Sequence, residues 1–195
     1  MKSNNLIADQ AIIPRINNSL LRDTLMVFGG VLLIAFLAQL RILLPFSPVP
    51  ITGQTLGLLL SAAVLGARRG LITIVLYLAI GITGTPFFAG GVGMAIFKGV
   101  TAGYLLGFIP SALIVGFLFE KGWGKKYHMA FLALLIGGIS VLLFGTLWLT
   151  LILGYSKAFT MGFLPFIPGE LIKITIVTFL LPTVWKFTNN DTNTD

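Results

Sequence analysis

Two ionisable residues stand three apart in an otherwise apolar run, Glu170 and Lys173, within Pro165-Phe166-Ile167-Pro168-Gly169-Glu170-Leu171-Ile172-Lys173. On a helix that spacing puts both side chains on one face. At the centre of a bilayer helix such residues cost about 2.5–3.5 kcal/mol each on insertion scales, and they mark solute sites by default. One reading is a self-contained ion pair near the interface. The other, which the sequence favours, is a polar clamp that offers a solute one donor and one acceptor. Pro168-Gly169 just ahead suggests a helix start, whose positive dipole end and free N–H groups attract an anion or a polar ligand.

Fewer signals attach to the other candidates. Thr52 and Gln54 follow a proline-rich run and read either as pocket lining or as ordinary interhelical hydrogen-bonders. Phe87, Phe88 and Trp148 could wall a pocket, although each alone is also a packing residue or an interface anchor. Thr101 and Tyr104 lie near one end of the fourth apolar run, where the phenol could meet a ligand or the interface. Gly90 and Gly91 belong to the glycine-rich stretch from Gly84 to Gly93. Irregular backbone of that kind is tolerated at membrane depth only when it is buried in protein or lines a cavity. Gly99, Gly103 and Gly107 make two small-xxx-small steps, a signal for close helix approach. Gly30, Ala35 and Ala38 on the first run could serve contact with another protein or internal packing.

Much chemistry is excluded. There is no cysteine, so no thiolate catalysis and no Cys-based metal site. The single histidine, His128, sits among basic residues and reads as a solvated side chain. No Ser-His-Asp set, no acidic relay and no G-x-x-x-x-G-K-[ST] is present. No catalytic residue, metal or cofactor is therefore expected, and any energy source must lie on another chain.

The elements that would position these residues are membrane helices. Hydrophobic residues make up 56% of the 195 and charged residues only 10%, against about a quarter charged in soluble domains. The mean hydropathy is +0.99. Long unbroken apolar runs favour helices over a barrel, and each crossing needs about 20 residues. The net charge of +7 comes from basic residues scattered at the ends of apolar runs, which argues against nucleic acid. Six spans are expected: 24–44, 52–67, 71–82, 99–119, 129–153 and 169–185. The organisation is a cytoplasmic segment over 1–22, with an interfacial helix near 6–13, then one membrane domain over 23–187 and a polar tail over 188–195. Nine of the 13 basic residues fall on the side that holds both termini and the Arg68-Arg69 and Lys121–Lys126 turns. The positive-inside rule makes that side cytoplasmic. The outer connections are then the irregular ones, at 45–50, 84–93 and 155–168, the last read as a mixed loop.

Five motifs in order give these features a family resemblance: Pro48-Val-Pro-Ile-Thr-Gly-Gln-Thr-Leu56, Leu65-Gly-Ala-Arg-Arg-Gly70, Gly84-Thr-Pro-Phe-Phe-Ala-Gly-Gly91, Gly103-Tyr-Leu-Leu-Gly-Phe108 and Leu164-Pro-Phe-Ile-Pro-Gly-Glu-Leu-Ile-Lys173. From about residue 24 to 186 the chain resembles BioY, the biotin-binding S components of energy-coupling factor (ECF) transporters. The resemblance implies an all-α membrane protein of six helices, in the cell membrane, that captures biotin from outside. It also implies a partner module, a transmembrane T component with two cytoplasmic ATPases. Two positions depart from the family pattern. Glu170 stands where an aspartate is usual, and Gly99-Val-Thr-Ala-Gly-Tyr104 replaces Gly-Pro-Thr-Gly-Gly-Tyr. For biotin, Glu170 could accept from a ureido N–H, while Lys173 could donate to the ureido carbonyl or to the carboxylate. Phe87, Phe88 and the 45–50 connector could shelter the apolar parts. Another small vitamin would suit the same residues. An intramembrane enzyme acting on lipid, or a structural scaffold, accounts for fewer of the features.

Overall fold

The computed structural model describes residues 18–191, with side chains as far as Thr183. The expected helix at 6–13, Lys2, Arg15 and the extreme tail lie outside the described residues, as does the side chain of Lys186. Helix α1 spans Ser19–Ala38. Its start is fixed by Asn18, whose side-chain oxygen accepts from the N–H groups of Leu20 and Leu21 at 3.0 and 3.3 Å, a standard N-cap arrangement. The connection that follows forms a short antiparallel ladder, β1 (Arg41–Ile42) with β2 (Ile51–Thr52), pairing Arg41 with Thr52. The ladder closes the proline-rich loop on itself and sinks Val49 into the core.

The runs expected as separate spans at 52–67 and 71–82 form one helical element, α2 (Gln54–Ile82), broken at Gly66. Gly66 has φ 83° and ψ −179°, a region essentially reserved for glycine. The two arms fold back on one another. Gln54 Nε2 donates to the Tyr77 hydroxyl at 2.6 Å, whereas a straight helix would part these residues by roughly 34 Å at about 1.5 Å per residue. A Cβ on Gly70 would lie 3.2 Å from the Ala62 Cα. The reversal is held by Glu120, whose Oε1 accepts from the Ala67 N–H at 2.9 Å, and by the Arg69–Asp23 ion pair at 2.9 Å.

A 3₁₀ turn over Gly93–Lys98 leads into α3 (Ala102–Glu120), followed by α4 (Tyr127–Leu153), α5 (Tyr155–Gly162) and α6 (Phe166–Asp191). The stretch read as a mixed loop at 155–168 therefore contains a short helix. Among the described residues, five helices are long and apolar enough to cross a membrane. Their outward faces carry Phe36, Leu147, Leu151, Ile172 and Phe179, all more than half exposed. Only hydrocarbon is a favourable neighbour for such a surface.

Of the two expected glycine steps, the one from Gly103 to Gly107 packs α3 on α4, whereas Gly99 lies ahead of α3 at the end of the 3₁₀ turn. Cβ atoms added at Gly103 or Gly107 would run into Phe144 and Trp148, or Phe144 and Val141. Gly30, Ala35 and Ala38 are buried, with Gly30 against Thr73, Leu65 and Ser61, so they serve internal packing.

Candidate functional site

Beneath the irregular connections lies a cavity of about 560 Å³, its open mouth included, bounded by the 49–55 segment, the 88–101 segment, α3, α4 and α6. The apolar wall comes from Phe88, Ile96, Leu105, Phe108, Val141, Leu142 and Phe166. Polar groups are few and converge from different elements, with Thr52, Gln54 and Thr55 from the start of α2 and the strand before it, and Glu170 and Lys173 from α6.

Glu170 and Lys173 meet as their spacing requires, Nζ to Oε2 at 3.1 Å. They are not a closed pair. Thr55, at the outer end of α2, donates its hydroxyl to Glu170 Oε2 at 2.9 Å and accepts from Lys173 Nζ at 2.7 Å. Both partners are largely withdrawn from solvent, their side chains 6% and 15% exposed. The second carboxylate oxygen, Oε1, is buried and has no hydrogen-bond donor among the described residues. A buried acceptor in that state costs about 1–3 kcal/mol, so a ligand N–H reaching it would recover energy already spent on folding.

Helix α6 positions the pair differently from the expectation. It begins at Phe166 rather than Gly169, so Glu170 stands a full turn inside. The first amides are already engaged, Phe166 with the carbonyl of Phe163 at 3.1 Å and Ile167 with that of Leu164 at 3.4 Å, and Pro168 has no N–H. The side chains, rather than a free helix end, supply the polar contacts of this wall.

A second network shapes the roof. Gln54 accepts from the Thr52 hydroxyl at 3.1 Å and donates to Tyr77, which donates in turn to the carbonyl of Phe87 at 2.9 Å. Phe88 fits against Gly81 and meets the Tyr77 ring edge-on, so the glycine-rich connection is tied down at adjacent residues. The irregular connections are also stitched to their neighbours. Ser47 donates to Met161 at 2.7 Å, Gln39 to Pro86 at 3.0 Å, and Tyr104 to Gly162 at 2.6 Å.

Of the residues picked from the sequence, Thr52, Gln54, Phe88, Thr101, Tyr104, Glu170 and Lys173 line the cavity. Phe87, Gly90 and Gly91 do not. Phe87 stacks on the far side of Tyr77 with ring centroids 6.4 Å apart. Gly90, at φ 83°, leaves room for the Arg41 guanidinium, and Gly91 pairs with Phe88 in an isolated bridge. Trp148 donates to the Gly99 carbonyl at 3.0 Å and holds the 3₁₀ segment to α4. Thr55 is the main omission, although it sits beside Gln54 in the same motif. Tyr77 had no signal in the sequence, being one aromatic in an apolar run.

Comparison with known proteins adds independent findings. The family model described as "BioY family" matches residues 7–190. The biotin transporter BioY of Rhizobium etli is 43% identical over 147 residues, covering 70% of this chain and 78% of its own. The biotin transporter BioY2 of Lactococcus lactis subsp. cremoris is 40% identical over 168 residues, covering 83% and 88%. Among solved structures, the S-component for biotin from an ECF-type ABC transporter superposes with a TM-score of 0.79 at 27% identity, covering 88% of this chain and 94% of that one.

Proposed function

The chain belongs to the BioY family, and on that premise we propose that it is the substrate-binding membrane component of a biotin uptake system. Biotin joins a compact ureido ring, with two N–H donors and a carbonyl acceptor, to an apolar thioether and alkyl chain that ends in a carboxylate. The cavity has the complementary pattern. One observation carries the reading: Glu170, which lines a largely aromatic and aliphatic cavity, has Oε2 held by Thr55 and Lys173 and a buried Oε1 with no donor among the described residues. A ureido N–H given to Oε1 would satisfy it, and Lys173 retains donor capacity for a ligand oxygen. Gln54, Thr52, Thr101 and Tyr104 complete the polar lining, with Phe88 as the roof. Phe87, Gly90 and Gly91 serve that roof indirectly.

The transport reading rests on the same family. The chain carries no nucleotide-binding motif, so inward delivery would draw on a separate ATP-driven module, a transmembrane T component with two cytoplasmic ATPases. For topology we infer six crossings in one membrane domain over 23–187, each arm of α2 crossing once, with both termini cytoplasmic. Reversal at Gly66 next to Arg68 and Arg69 supports this, because the positive-inside rule places that turn inside. The chain has no cysteine of its own, which makes a labelling test clean. Arg68→Cys should react with an impermeant maleimide only from the cytoplasmic face and Thr83→Cys only from outside. Equal sidedness of the two would remove the six-crossing scheme.

Isothermal calorimetry of the purified protein tests the binding reading. Saturable heat with biotin, lost for an analogue methylated on both ureido nitrogens, is expected. No heat and no thermal protection at micromolar biotin would overturn it. Copurification of ATPase subunits from the native membrane tests the coupling.

A further inference from the structure

Two adjacent glycines on α4, Gly137 and Gly138, are buried and face different neighbours. A Cβ on Gly137 would meet Val115, Ser111 and Leu59, all on α3 or α2. It is a packing glycine between helices. A Cβ on Gly138 would instead lie 3.2 Å from Glu170 Cγ and 3.2 Å from Glu170 Oε1, with Ile174 Cδ1 also at 3.2 Å. Those separations are inside ordinary van der Waals contact. The absent side chain at 138 is therefore filled by the carboxylate arm of α6, and in particular by the oxygen that has no donor.

We propose that Gly138 is a positioning residue for the Glu170 carboxylate. It fixes where Oε1 stands relative to the cavity, and the affinity it confers rests on the biotin-binding reading above. Oε2 is already anchored by Thr55 at 2.9 Å and Lys173 at 3.1 Å. With one oxygen fixed, a methyl group at 138 leaves Glu170 two ways to yield. It can rotate out of the Thr55–Lys173 grip, or it can swing its stem into the apolar crevice between α4 and α6, where Leu171 and Ile139 also lie. Either movement withdraws the acceptor from its present place. Ile174 can give way by a rotamer change; the pinned carboxylate cannot without breaking a hydrogen bond.

This assignment separates binding from stability. Alanine is a better helix former than glycine, so Gly138→Ala should leave the unfolding temperature unchanged or slightly raised. The affinity for biotin should nevertheless fall by at least fivefold. Aspartate at 170, one methylene shorter, draws the carboxylate back toward α6 and out of the slot. In the Glu170→Asp background, Gly138→Ala should change affinity by less than twofold. Gly137→Ala is the control, with a lowered unfolding temperature and the same effect on affinity in both backgrounds.

Calorimetry and thermal unfolding of the four proteins in this cycle make the test, with infrared spectroscopy as a readout that needs no ligand. The carboxylate stretch of residue 170, assigned by its loss in Glu170→Gln, should shift in Gly138→Ala. Equal loss of affinity in both backgrounds, or wild-type affinity in Gly138→Ala, overturns the proposal. If the wild-type protein binds no biotin, the functional reading fails. The infrared band then decides the positioning role alone: a shift sustains it and an unchanged band ends it.

Discussion

Replacing Lys173 by alanine removes the only cation among the described residues in contact with a carboxylate that is 5% exposed. Two quantities should change. Stability should fall by about 3–5 kcal/mol, the usual cost of leaving one member of a buried pair behind, reduced to the extent that Glu170 takes up a proton. Biotin affinity should fall at least tenfold, about 1.4 kcal/mol, whether Lys173 meets the ureido carbonyl or the carboxylate. In either case one charge-assisted donor is lost, typically 1.5–3 kcal/mol. Binding and unfolding can be separated by the double variant Glu170→Gln/Lys173→Met, which removes the charge imbalance and should recover most of the stability without restoring affinity. The two ligand contacts can be distinguished with biotin methyl ester. If Lys173 meets the carboxylate, esterification costs the wild-type protein much more than it costs Lys173→Ala. Calorimetry in detergent and thermal unfolding read both. Affinity of Lys173→Ala within twofold of wild type would refute the reasoning and return Glu170 and Lys173 to a purely structural ion pair.

The other expectations concern how the cavity is built. Thr55→Val keeps the shape of the side chain but takes a donor from Glu170 Oε2 and an acceptor from Lys173; biotin affinity measured by calorimetry should drop roughly tenfold, by the scale of one charge-assisted bond. Tyr77→Phe leaves the Gln54 amide and the Phe87 carbonyl without their shared partner. It should cost about 1–3 kcal/mol per buried group, read as a lower unfolding temperature together with faster proteolysis in the 84–93 connection. Gly66→Ala forces a side chain into a glycine-only conformation and should destabilise by about 1–3 kcal/mol. That would appear in thermal unfolding as an effect far larger than Gly29→Ala, where an added Cβ meets nothing within 4 Å.

The parts of this molecule legible from its sequence are those governed by solvent and by helical period. Apolar runs give the spans because the bilayer leaves the backbone no alternative. Glu170 and Lys173 are read as neighbours because i, i+3 fixes their proximity before any tertiary structure forms. Thr55 escapes this logic. It completes the same polar group from 115 residues away, and nothing local in its sequence distinguishes its hydroxyl from that of Thr52. The short helix α5 escapes for another reason: eight residues of mixed polarity are too short for a span and carry no cap signal. The apparent helix start at Pro168-Gly169 misleads because proline suits any first-turn position, and here the helix begins two residues earlier.

The 84–93 connection shows why neighbouring residues can have unrelated roles when no period governs them. In a strand or helix the side-chain direction of Phe88 would follow from that of Phe87. In this irregular segment it is set from outside. Gly81 leaves the room that the Phe88 ring enters, and Tyr77 holds the Phe87 carbonyl one residue before it. Both of those residues lie on the second arm of α2, and the Tyr77 hydroxyl also accepts from Gln54 Nε2 on the first arm. The roof of the cavity and its polar floor beside Thr55 are thus mounted on the two arms of one helical hairpin. The Gln54–Tyr77 bond links the two arms, so a motion that spread them about Gly66 would break it and displace the Phe88 roof relative to Thr55. Coupling of this kind ties access to the cavity to the grip on its contents, which a component that must first hold and then surrender its solute requires.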